Sequence, residues 1–325
     1  MKKIFFVLIS VIAVVYFAIN KVPVSKNFDL IIEKNNNFFI ISKKLYPNSA
    51  IMQHFTVFYG RIWMGINKKF IQQGDYEIHT YDTIKSVIKK IGLGEVKRYK
   101  IFFPEGVTTK YIINEINKSN ILSGKISENI SEGELMPDTY SITRFEEKTV
   151  LISTMKREMD RYLKRQWTKR DKDLPFKTPY EALILASIVE KEVGASYCNQ
   201  NEYEHIAAVF INRLNKRMRL QSSPTVFYGM KIDGIEHGDV NTINRNPTFN
   251  ELKIDHPYNT YKKIGLPPTP ICNPSKKAIM AVLHPSKIDA LFFMSNGKNC
   301  HVFTKTFDEH KVVIKEYRRL MKKRI

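Results

Sequence analysis

The chain has 325 residues, enough for two modest domains or one large one. Hydrophobic residues make up 43% of the chain and charged residues 26%, so its composition is that of a folded globular protein and argues against disorder. The formal net charge of +20 favours an anionic partner, but the lysines are spread along the whole chain, which is typical of a solvated surface and not of a single nucleic-acid stripe.

The N-terminus carries an apolar run of nearly spanning length. Two lysines precede residues 4–19, which are apolar apart from Ser10. A cleaved signal peptide has a similar core, but this run is long for one and ends without a small-x-small cleavage site. We therefore expect an uncleaved transmembrane helix over residues 4–20. The positive-inside tendency places residues 1–3 in the cytoplasm and the rest of the chain on the other side.

Residues 21–103 have the pattern of a small βααβ module. Short β-like runs at 30–32 and 100–103 bracket two segments with helical periodicity, 50–66 and 83–91. The simplest interpretation is a generic βααβ module that packs on the neighbouring domain.

A turn at 104–106 opens a larger domain, residues 104–325. Its first helix is capped by Thr108 or Thr109. A long charged helix with one apolar face is predicted at 148–169. The predicted fold class is therefore α+β, with an N-terminal transmembrane helix, a small βααβ module and a mixed α/β domain.

The next helix begins at Pro179, with Thr178 as its N-cap, and is predicted to stop at Gly194. It is almost wholly apolar, so we expect it in the core. Its last turn nevertheless carries Glu190 and Glu192, although the partial negative charge of a helix C-terminus disfavours acids. That conflict indicates a role for the two acids beyond packing.

Helical geometry separates the two acids. Three, four and seven residues before Glu192 stand bulky apolar side chains, whereas the same positions before Glu190 include Ser187 and Ala186. Burial against an apolar stripe raises the pKa of a carboxyl, which suits Glu192 as a general acid near neutral pH. The pattern alone leaves open that both are structural acids paired with Lys191 or a later arginine.

Polar side chains further along the chain are candidates for binding a substrate. They lie on a second amphipathic helix at 206–214, on a turn predicted to enter a short strand at 220–229, and on a proline-rich loop at 257–270. A hairpin around an Asn-Gly turn is predicted over 291–304. The candidates with hydrogen-bonding groups are Asn212, Arg213, Gln221, Ser223, Tyr228, Asn259 and Tyr261.

Metal and redox chemistry find little support. Cys198, Cys272 and Cys300 have no Cys-x-x-Cys spacing, and the eight histidines include no His-Glu-x-x-His motif. We therefore expect no metal site and no cofactor. Whether two of the cysteines form a disulfide is left open by their spacing.

The segment Ala186-Ser187-Ile188-Val189-Glu190-Lys191-Glu192 resembles the active-site motif of the MltG (YceG-like) endolytic murein transglycosylases. The resemblance covers essentially the whole chain. It continues through Glu105-Gly106, Pro137-Asp138-Thr139-Tyr140, Val209-Phe210-Ile211-Asn212-Arg213-Leu214, Met218-Arg219-Leu220-Gln221, Pro224-Thr225-Val226, Tyr258-Asn259-Thr260-Tyr261, Gly265-Leu266-Pro267-Pro268 and His284-Pro285.

This resemblance implies a single-pass inner-membrane protein facing the periplasm, with a LysM-like module at 21–103 and a YceG-like catalytic domain at 104–325. It implies cleavage within nascent peptidoglycan strands, which would terminate their polymerisation, and peptidoglycan synthases (penicillin-binding proteins) as partners. The catalytic residue would be Glu192, with Glu190 among the substrate-binding residues. One departure concerns substrate contacts, since Ser223 stands where the family often has Asp.

The implied reaction is a lytic transglycosylation that needs one carboxylate. Glu192 would protonate the oxygen between N-acetylmuramic acid and N-acetylglucosamine, and the muramic C6 hydroxyl would close a 1,6-anhydro ring. A rival hypothesis is a membrane-tethered scaffold that binds cell wall without turnover. A nucleic-acid-binding protein fits the charge but not the export topology or the absence of a recognised motif.

Overall fold

The computed structural model of the chain describes residues 2–193, 201–235, 245–296 and 300–322. It is a mixed α+β structure, as predicted. The described helices are α1 (Lys2–Lys21), α2 (Phe38–Leu45), α3 (Ala50–Asn67), α4 (Ile84–Leu93), α5 (Thr109–Lys118), α6 (Lys148–Trp167), α7 (Pro179–Val193), α8 (Glu202–Asn215), α9 (Ser223–Ile232), α10 (Lys276–Leu283) and α11 (Phe307–Lys322). The described strands are β1 (Phe28–Ile32), β2 (Gly74–Ile78), β3 (Arg98–Phe102), β4 (Thr139–Thr143), β5 (Phe292–Ser295) and β6 (His301–Thr304).

The chain forms two compact units, each built from several segments. Unit 1 consists of Met1–Ile101, Ser119–Lys125 and Tyr140–Lys148. Unit 2 consists of Phe102–Lys118, Ile126–Thr139 and Thr149–Ile325. The division after Ile101 lies close to the predicted boundary at residue 103, but two later segments return to unit 1. The chain order of hydrophobic segments gave no sign of that return.

Helix α1 is long and apolar enough to cross a membrane by length and composition. Its first half is exposed, whereas Ala18 and Ile19 near its end are buried in unit 1. The last turn of α1 is therefore part of the folded unit as well as of the apolar run.

The rest of unit 1 is built on the order β1, α2, α3, β2, with β1 and β2 paired antiparallel. Leu30 of β1 pairs with Tyr76 of β2, and both are buried. Helix α4 closes the core, and Thr83 caps it through a capping box with Ser86. The predicted helices at 50–66 and 83–91 are confirmed. The predicted bracketing was wrong: the strand at 100–103 is β3, which pairs with β4, whereas β1 pairs with β2 and the two enclose α2 and α3. Helix α2 was not predicted, because its eight residues are too few for a clear helical period.

The core of unit 2 is centred on α7, which packs against α8 and α10. Every residue of α7 from Ala182 to Glu190 is buried. The N-terminus of the helix is fixed by reciprocal hydrogen bonds between Thr178 and Glu181. The predicted core helix is thus confirmed. Its predicted end at Gly194 lies outside the described residues.

The segment predicted as a turn into a strand at 220–229 is instead helix α9, so that prediction was wrong. Thr225, Val226, Phe227 and Tyr228 have high β-propensity, which suggested a strand. In the structure Val226, Phe227 and Met230 share one buried face, a helical spacing. Pro224 lies in the first turn, where its missing N–H costs nothing.

The predicted hairpin is confirmed in its two strands. Strands β5 and β6 pair antiparallel, with Phe292 opposite Thr304 and Ser295 opposite His301. The glycine of the Asn-Gly turn, Gly297, lies outside the described residues, and so does Cys198. Cys272 is a free, buried cysteine.

Candidate active site

Glu192 lies in the last turn of α7, where the helix meets the start of α9. The residue is partly buried. The hydroxyl of Ser222, the N-cap residue of α9, donates a hydrogen bond of 2.6 Å to Oε1 of Glu192. The carboxyl therefore lies between the negative end of one helix dipole and the positive end of another. This arrangement restrains the carboxyl, and no described residue forms a hydrogen bond with Oε2.

The surroundings raise the pKa of Glu192 from 4.5 to about 7. The largest cause is burial, which penalises the charged form of a carboxyl. The Ser222 hydrogen bond and the positive charge of Arg213 act in the opposite direction and lower the pKa. The predicted direction of the shift is thus confirmed. At neutral pH a substantial fraction of Glu192 is protonated and can give up a proton.

Ser222 is held from both sides, which fixes its hydroxyl for Glu192. Its backbone N–H donates to the hydroxyl of Thr260 at 2.9 Å, and its carbonyl accepts from the hydroxyl of Thr225 at 2.6 Å. An N-cap serine normally bonds the first turn of its own helix, but Ser222 makes no such bond. Its hydroxyl is directed to the acid instead.

Arg213 lies on α8 and is buried. Its Nε donates to the carbonyl of Leu291 at 2.7 Å, and Nη1 donates to the carbonyl of Leu220 at 2.6 Å. Burial lowers the pKa of the guanidinium, and the nearby Glu192 opposes that shift. Arg213 thus joins the segment before α9 to the segment before β5 and also places a positive charge near the acid.

Glu190 faces away from this site, because two residues along a helix correspond to a rotation of roughly 200°. It is buried, and its Oε2 accepts from the backbone N–H of Ser275 at 2.8 Å. Its Oε1 accepts from the hydroxyl of Tyr203 at 3.2 Å. Gly106, at φ +73°, approaches so closely that a Cβ there would lie 3.2 Å from Cγ of Glu190. Glu190 therefore ties three separate segments together.

Comparison with known proteins places this chain in a family. The YceG-like family matches residues 30–316 of the chain. The chain belongs to the YceG-like family. An endolytic murein transglycosylase of Bacillus subtilis is 32% identical over 226 residues, which cover 68% of this chain and 54% of that protein.

An endolytic murein transglycosylase of Streptococcus pneumoniae is 37% identical over 171 residues, which cover 51% of this chain and 28% of that protein. The chain thus spans about half of the Bacillus protein and less of the streptococcal one. A crystal structure of a yceG-like protein from Listeria monocytogenes matches with a TM-score of 0.50 and 26% identity. That match covers 88% of this chain and 98% of the Listeria chain.

In this YceG-like chain the structure brings several predicted residues together around Glu192. Arg213 contributes charge, and Gln221 directly precedes Ser222, exposed and with φ +53°. The hydroxyls of Ser223 and Tyr261 lie 3.1 Å apart. Gln221, Ser223 and Tyr261 remain the candidates for contacting a substrate beside the acid.

Three other predicted residues are engaged within the protein. Asn212 donates through Nδ2 to the carbonyls of Ile288 and Ala290. The Nδ2 of Asn259 donates to the carbonyls of Leu252 and Ile254, and its Oδ1 accepts from the N–H of Tyr261. The hydroxyl of Tyr228 donates to Glu132 at 3.2 Å. The Nδ2 donors of both amides are thus used within the protein, where they hold the loops around the site.

The site also contains a residue that the sequence analysis missed, Ser222. The Ser-Ser-Pro sequence at 222–224 is a helix-start signal, which would have placed Ser222 as an N-cap. Because this segment was predicted to enter a strand, Ser222 was not recognised as the N-cap of a helix. Among the described residues, no cluster of histidine, cysteine and acidic side chains could hold a metal ion.

Proposed function

We propose that this YceG-like protein is an endolytic lytic transglycosylase that cleaves the β-1,4 bond between N-acetylmuramic acid and N-acetylglucosamine in peptidoglycan strands. The observation that carries the proposal is the carboxyl of Glu192, whose pKa is about 7. The Bacillus and Streptococcus relatives are endolytic murein transglycosylases, which supports the proposal. Because the chain spans only part of those proteins, the site itself is the main support.

In the first step, the protonated carboxyl of Glu192 donates its proton to the oxygen that bridges the two sugars. The bond between that oxygen and the anomeric carbon of the muramic residue breaks. A general acid works best when its pKa lies near the working pH, and a carboxyl with its usual pKa near 4.5 would be almost fully ionised there. Burial raises the pKa of Glu192 to about 7, close to a neutral working pH.

In the second step, the carboxylate of Glu192 takes the proton of the muramic C6 hydroxyl as that oxygen bonds to the anomeric carbon. The products are a strand with a 1,6-anhydro end and a strand with a free C4 hydroxyl, and no water is consumed. Hydrolytic glycosidases place a second carboxylate at the scissile bond. Glu190 does not serve in that role, because it faces away and both of its oxygens accept hydrogen bonds.

Substrate contacts are assigned to the groups that remain beside the acid. Gln221 and Ser223 flank Ser222, and Tyr261 lies against Ser223. Amide and hydroxyl groups of this kind suit the N-acetyl groups and hydroxyls of the two sugars. Ser223, which replaces the acid often found in the family, makes this subsite less negative in this chain.

We also propose that the protein acts at a membrane. Helix α1 anchors the protein as a single-pass span with its N-terminus in the cytoplasm, and the remainder acts on the outer side of the membrane. The βααβ order of unit 1 supports a LysM-like module, which would hold a glycan strand. Cleavage of nascent strands would end their polymerisation, with peptidoglycan synthases as partners.

The test is mass spectrometry of the ends released from un-crosslinked glycan by the full-length protein in detergent. We expect fragments with 1,6-anhydromuramic ends. Reducing muramic ends alone would indicate a hydrolase and contradict the mechanism. Binding of glycan without any fragment would favour the membrane-tethered scaffold.

A further inference from the structure

Helix α3 of unit 1 has a face made of large apolar side chains that no part of unit 1 covers. Ile51, Phe58, Ile62 and Ile66 follow each other at helical spacings, and their exposed fractions are 69%, 57%, 42% and 76%. The opposite face of the helix packs inward through the buried residues Thr56, Gly60 and Met64. Four large apolar side chains in one exposed row are more than scattered surface hydrophobics.

The exposed row continues onto α2. Phe39, which is 56% exposed, lines a groove of about 480 Å³ together with Val57, Phe58 and Ile62 of α3. The ammonium group of Lys43 lies 4.3 Å from the centre of the Phe39 ring. Just beyond α3, Phe70 is 82% exposed. We call these exposed residues of α2 and α3, with Phe70, the α2–α3 face.

The charge around the α2–α3 face has one sign. Residues 34–74 contain no aspartate or glutamate, whereas they contain six basic residues: Lys34, Lys43, Lys44, Arg61, Lys68 and Lys69. An amphipathic surface with apolar side chains, flanking lysines and no acid is the pattern of a segment that lies in the head-group region of an anionic bilayer. Long basic side chains can keep their charge near phosphates while their stems remain in apolar surroundings.

Because α1 is short and packs into unit 1, the α2–α3 face must lie close to the membrane that α1 crosses. The apolar run Ile4–Ile19 spans roughly 24 Å as a helix, less than the hydrocarbon thickness of about 30 Å, so α1 has no apolar length to spare. Yet Val15 and Ile19 pack into the core of unit 1. If α1 crosses the bilayer, the part of unit 1 around those two residues must lie at the bilayer surface.

Helices α3 and α4 of unit 1 both lie beside α1. Phe55 of α3 shares a groove with α1 residues from Phe6 to Val15, the middle of the apolar run. A neighbour of the middle of a spanning helix lies within or against the bilayer. The exposed row of α3 therefore continues the lipid-facing surface of α1.

We infer that the α2–α3 face lies in the head-group and upper acyl region of the bilayer that α1 crosses, with anionic phospholipid as its occupant. The inference rests on the proposed anchoring through α1 and is independent of the proposed catalysis. It makes unit 1 a membrane-lying platform and not a domain on a free tether.

The test uses tryptophan fluorescence of the full chain in phosphatidylethanolamine–phosphatidylglycerol vesicles, with and without acyl-brominated lipid, which quenches tryptophan by contact. Trp63 and Trp167, the two natural tryptophans, are replaced by phenylalanine. A single reporter is then introduced as Phe58→Trp or as Ile66→Trp. Tyr81→Trp is the matched control, because Tyr81 is 74% exposed in unit 1 but lies outside the α2–α3 face.

We expect brominated lipid to remove most of the fluorescence of Phe58→Trp and Ile66→Trp and to leave that of Tyr81→Trp unchanged. Equal fluorescence in both kinds of vesicle at the two face positions would overturn the inference, and so would equal quenching at all three positions. Flotation of each protein with its vesicles separates the two claims. If a protein floats with the vesicles but is not quenched, only the position of the α2–α3 face is contradicted. If it does not float, the proposed anchoring through α1 is contradicted as well.

Discussion

Glu190 and Glu192 differ in what their carboxyls contact. Glu190 accepts from a backbone N–H and a tyrosine hydroxyl, which is the environment of a structural acid. Glu192 has Ser222 on one oxygen, Arg213 nearby, and a pKa raised by burial. The sequence predicted this distinction through the apolar stripe before Glu192. It could not predict Ser222, because that contact depends on how α9 docks against α7 and not on local spacing.

Replacement of Ser222 by alanine should shift the pH dependence of the reaction. The Ser222 hydrogen bond stabilises the ionised carboxyl, so its loss raises the pKa of Glu192 above about 7. Since the first step needs the protonated acid, the fall in kcat at alkaline pH should move to higher pH. A kcat–pH profile of Ser222→Ala against wild type checks this.

Ser223→Ala serves as the control, because the described hydrogen bond of the Ser223 hydroxyl is to Tyr261, whereas the bond to the acid comes from Ser222. We expect its alkaline limb to stay at the wild-type pH while KM rises. A shift of the Ser222→Ala limb to lower pH would contradict the electrostatic description of the site.

Glu192 should also cost stability above neutral pH. The pKa of Glu192 is higher in the folded protein, about 7, than in the unfolded chain, about 4.5. Ionisation of Glu192 therefore does not affect the free energy of unfolding below pH 4.5, and it lowers that free energy as pH rises from 4.5 through about 7. Glu192→Gln removes that loss. We expect the variant to be more stable than wild type by up to about 3 kcal/mol at pH 8 and equal to it at pH 4.

Denaturant unfolding of both proteins at the two pH values measures this difference. A stability difference that is the same at pH 4 and pH 8 would show that Glu192 does not titrate in the folded protein as described.

At the scale of elements, the long periodic helices could be predicted from the sequence, and the elements that meet at the site could not. The core helix α7 and helices α3 and α4 of unit 1 follow from apolar periodicity and capping residues, whereas α2 and the pairing of β1 with β2 do not. The segment of α9 was wrongly predicted as a strand, because β-branched and aromatic residues fill it for packing reasons. The loop 258–261, which orients Ser222, has no regular structure for a periodicity to predict.

The loop around Asn273 should be an energetic centre of unit 2. Asn273 is fully buried, and its Nδ2 donates to the carbonyl of Val107 and the hydroxyl of Thr109. Its Oδ1 accepts from the N–H of Leu135 at 2.9 Å. Asn273→Ala removes these side-chain hydrogen bonds and leaves the buried N–H of Leu135 without its acceptor, so we expect a loss of about 2–4 kcal/mol in the free energy of unfolding.

Asn250→Ala is the matched control, since Asn250 is exposed and makes no side-chain capping bond. Its unfolding free energy should stay within about 0.5 kcal/mol of wild type. Chemical denaturation of the two variants compares them directly, and equal stabilities would contradict the role given to Asn273.

At the scale of the whole molecule, the apolar run and the +20 charge were visible in the sequence, but their relation to the fold was not. Part of α1 belongs to the core of unit 1, and an acid-free basic segment surrounds the α2–α3 face. Hydropathy alone treats a spanning helix as separate from the domain that follows. Only the packing of Val15 and Ile19 reveals that the two are joined.

Removing the end of α1 should destabilise unit 1. A chain starting at residue 22 loses Ala18 and Ile19 from the core, whereas one starting at residue 14 keeps them. We expect the shorter chain to be less stable by about 2–3 kcal/mol, the value of burying one large aliphatic side chain. Thermal unfolding of both fragments measures the difference, and equal stabilities would indicate that α1 is independent of unit 1.

The most direct measurement of the central claim is the rate at which full-length wild type, Glu192→Gln and Glu190→Gln release anhydro-ended fragments from un-crosslinked glycan at neutral pH. We predict that Glu192→Gln remains folded and loses activity by at least roughly 10²–10⁴-fold, because general acid–base catalysis accounts for that much. Glu190→Gln should keep most of the activity. An active Glu192→Gln variant together with an inactive Glu190→Gln variant would contradict the assignment and move the catalytic role to Glu190.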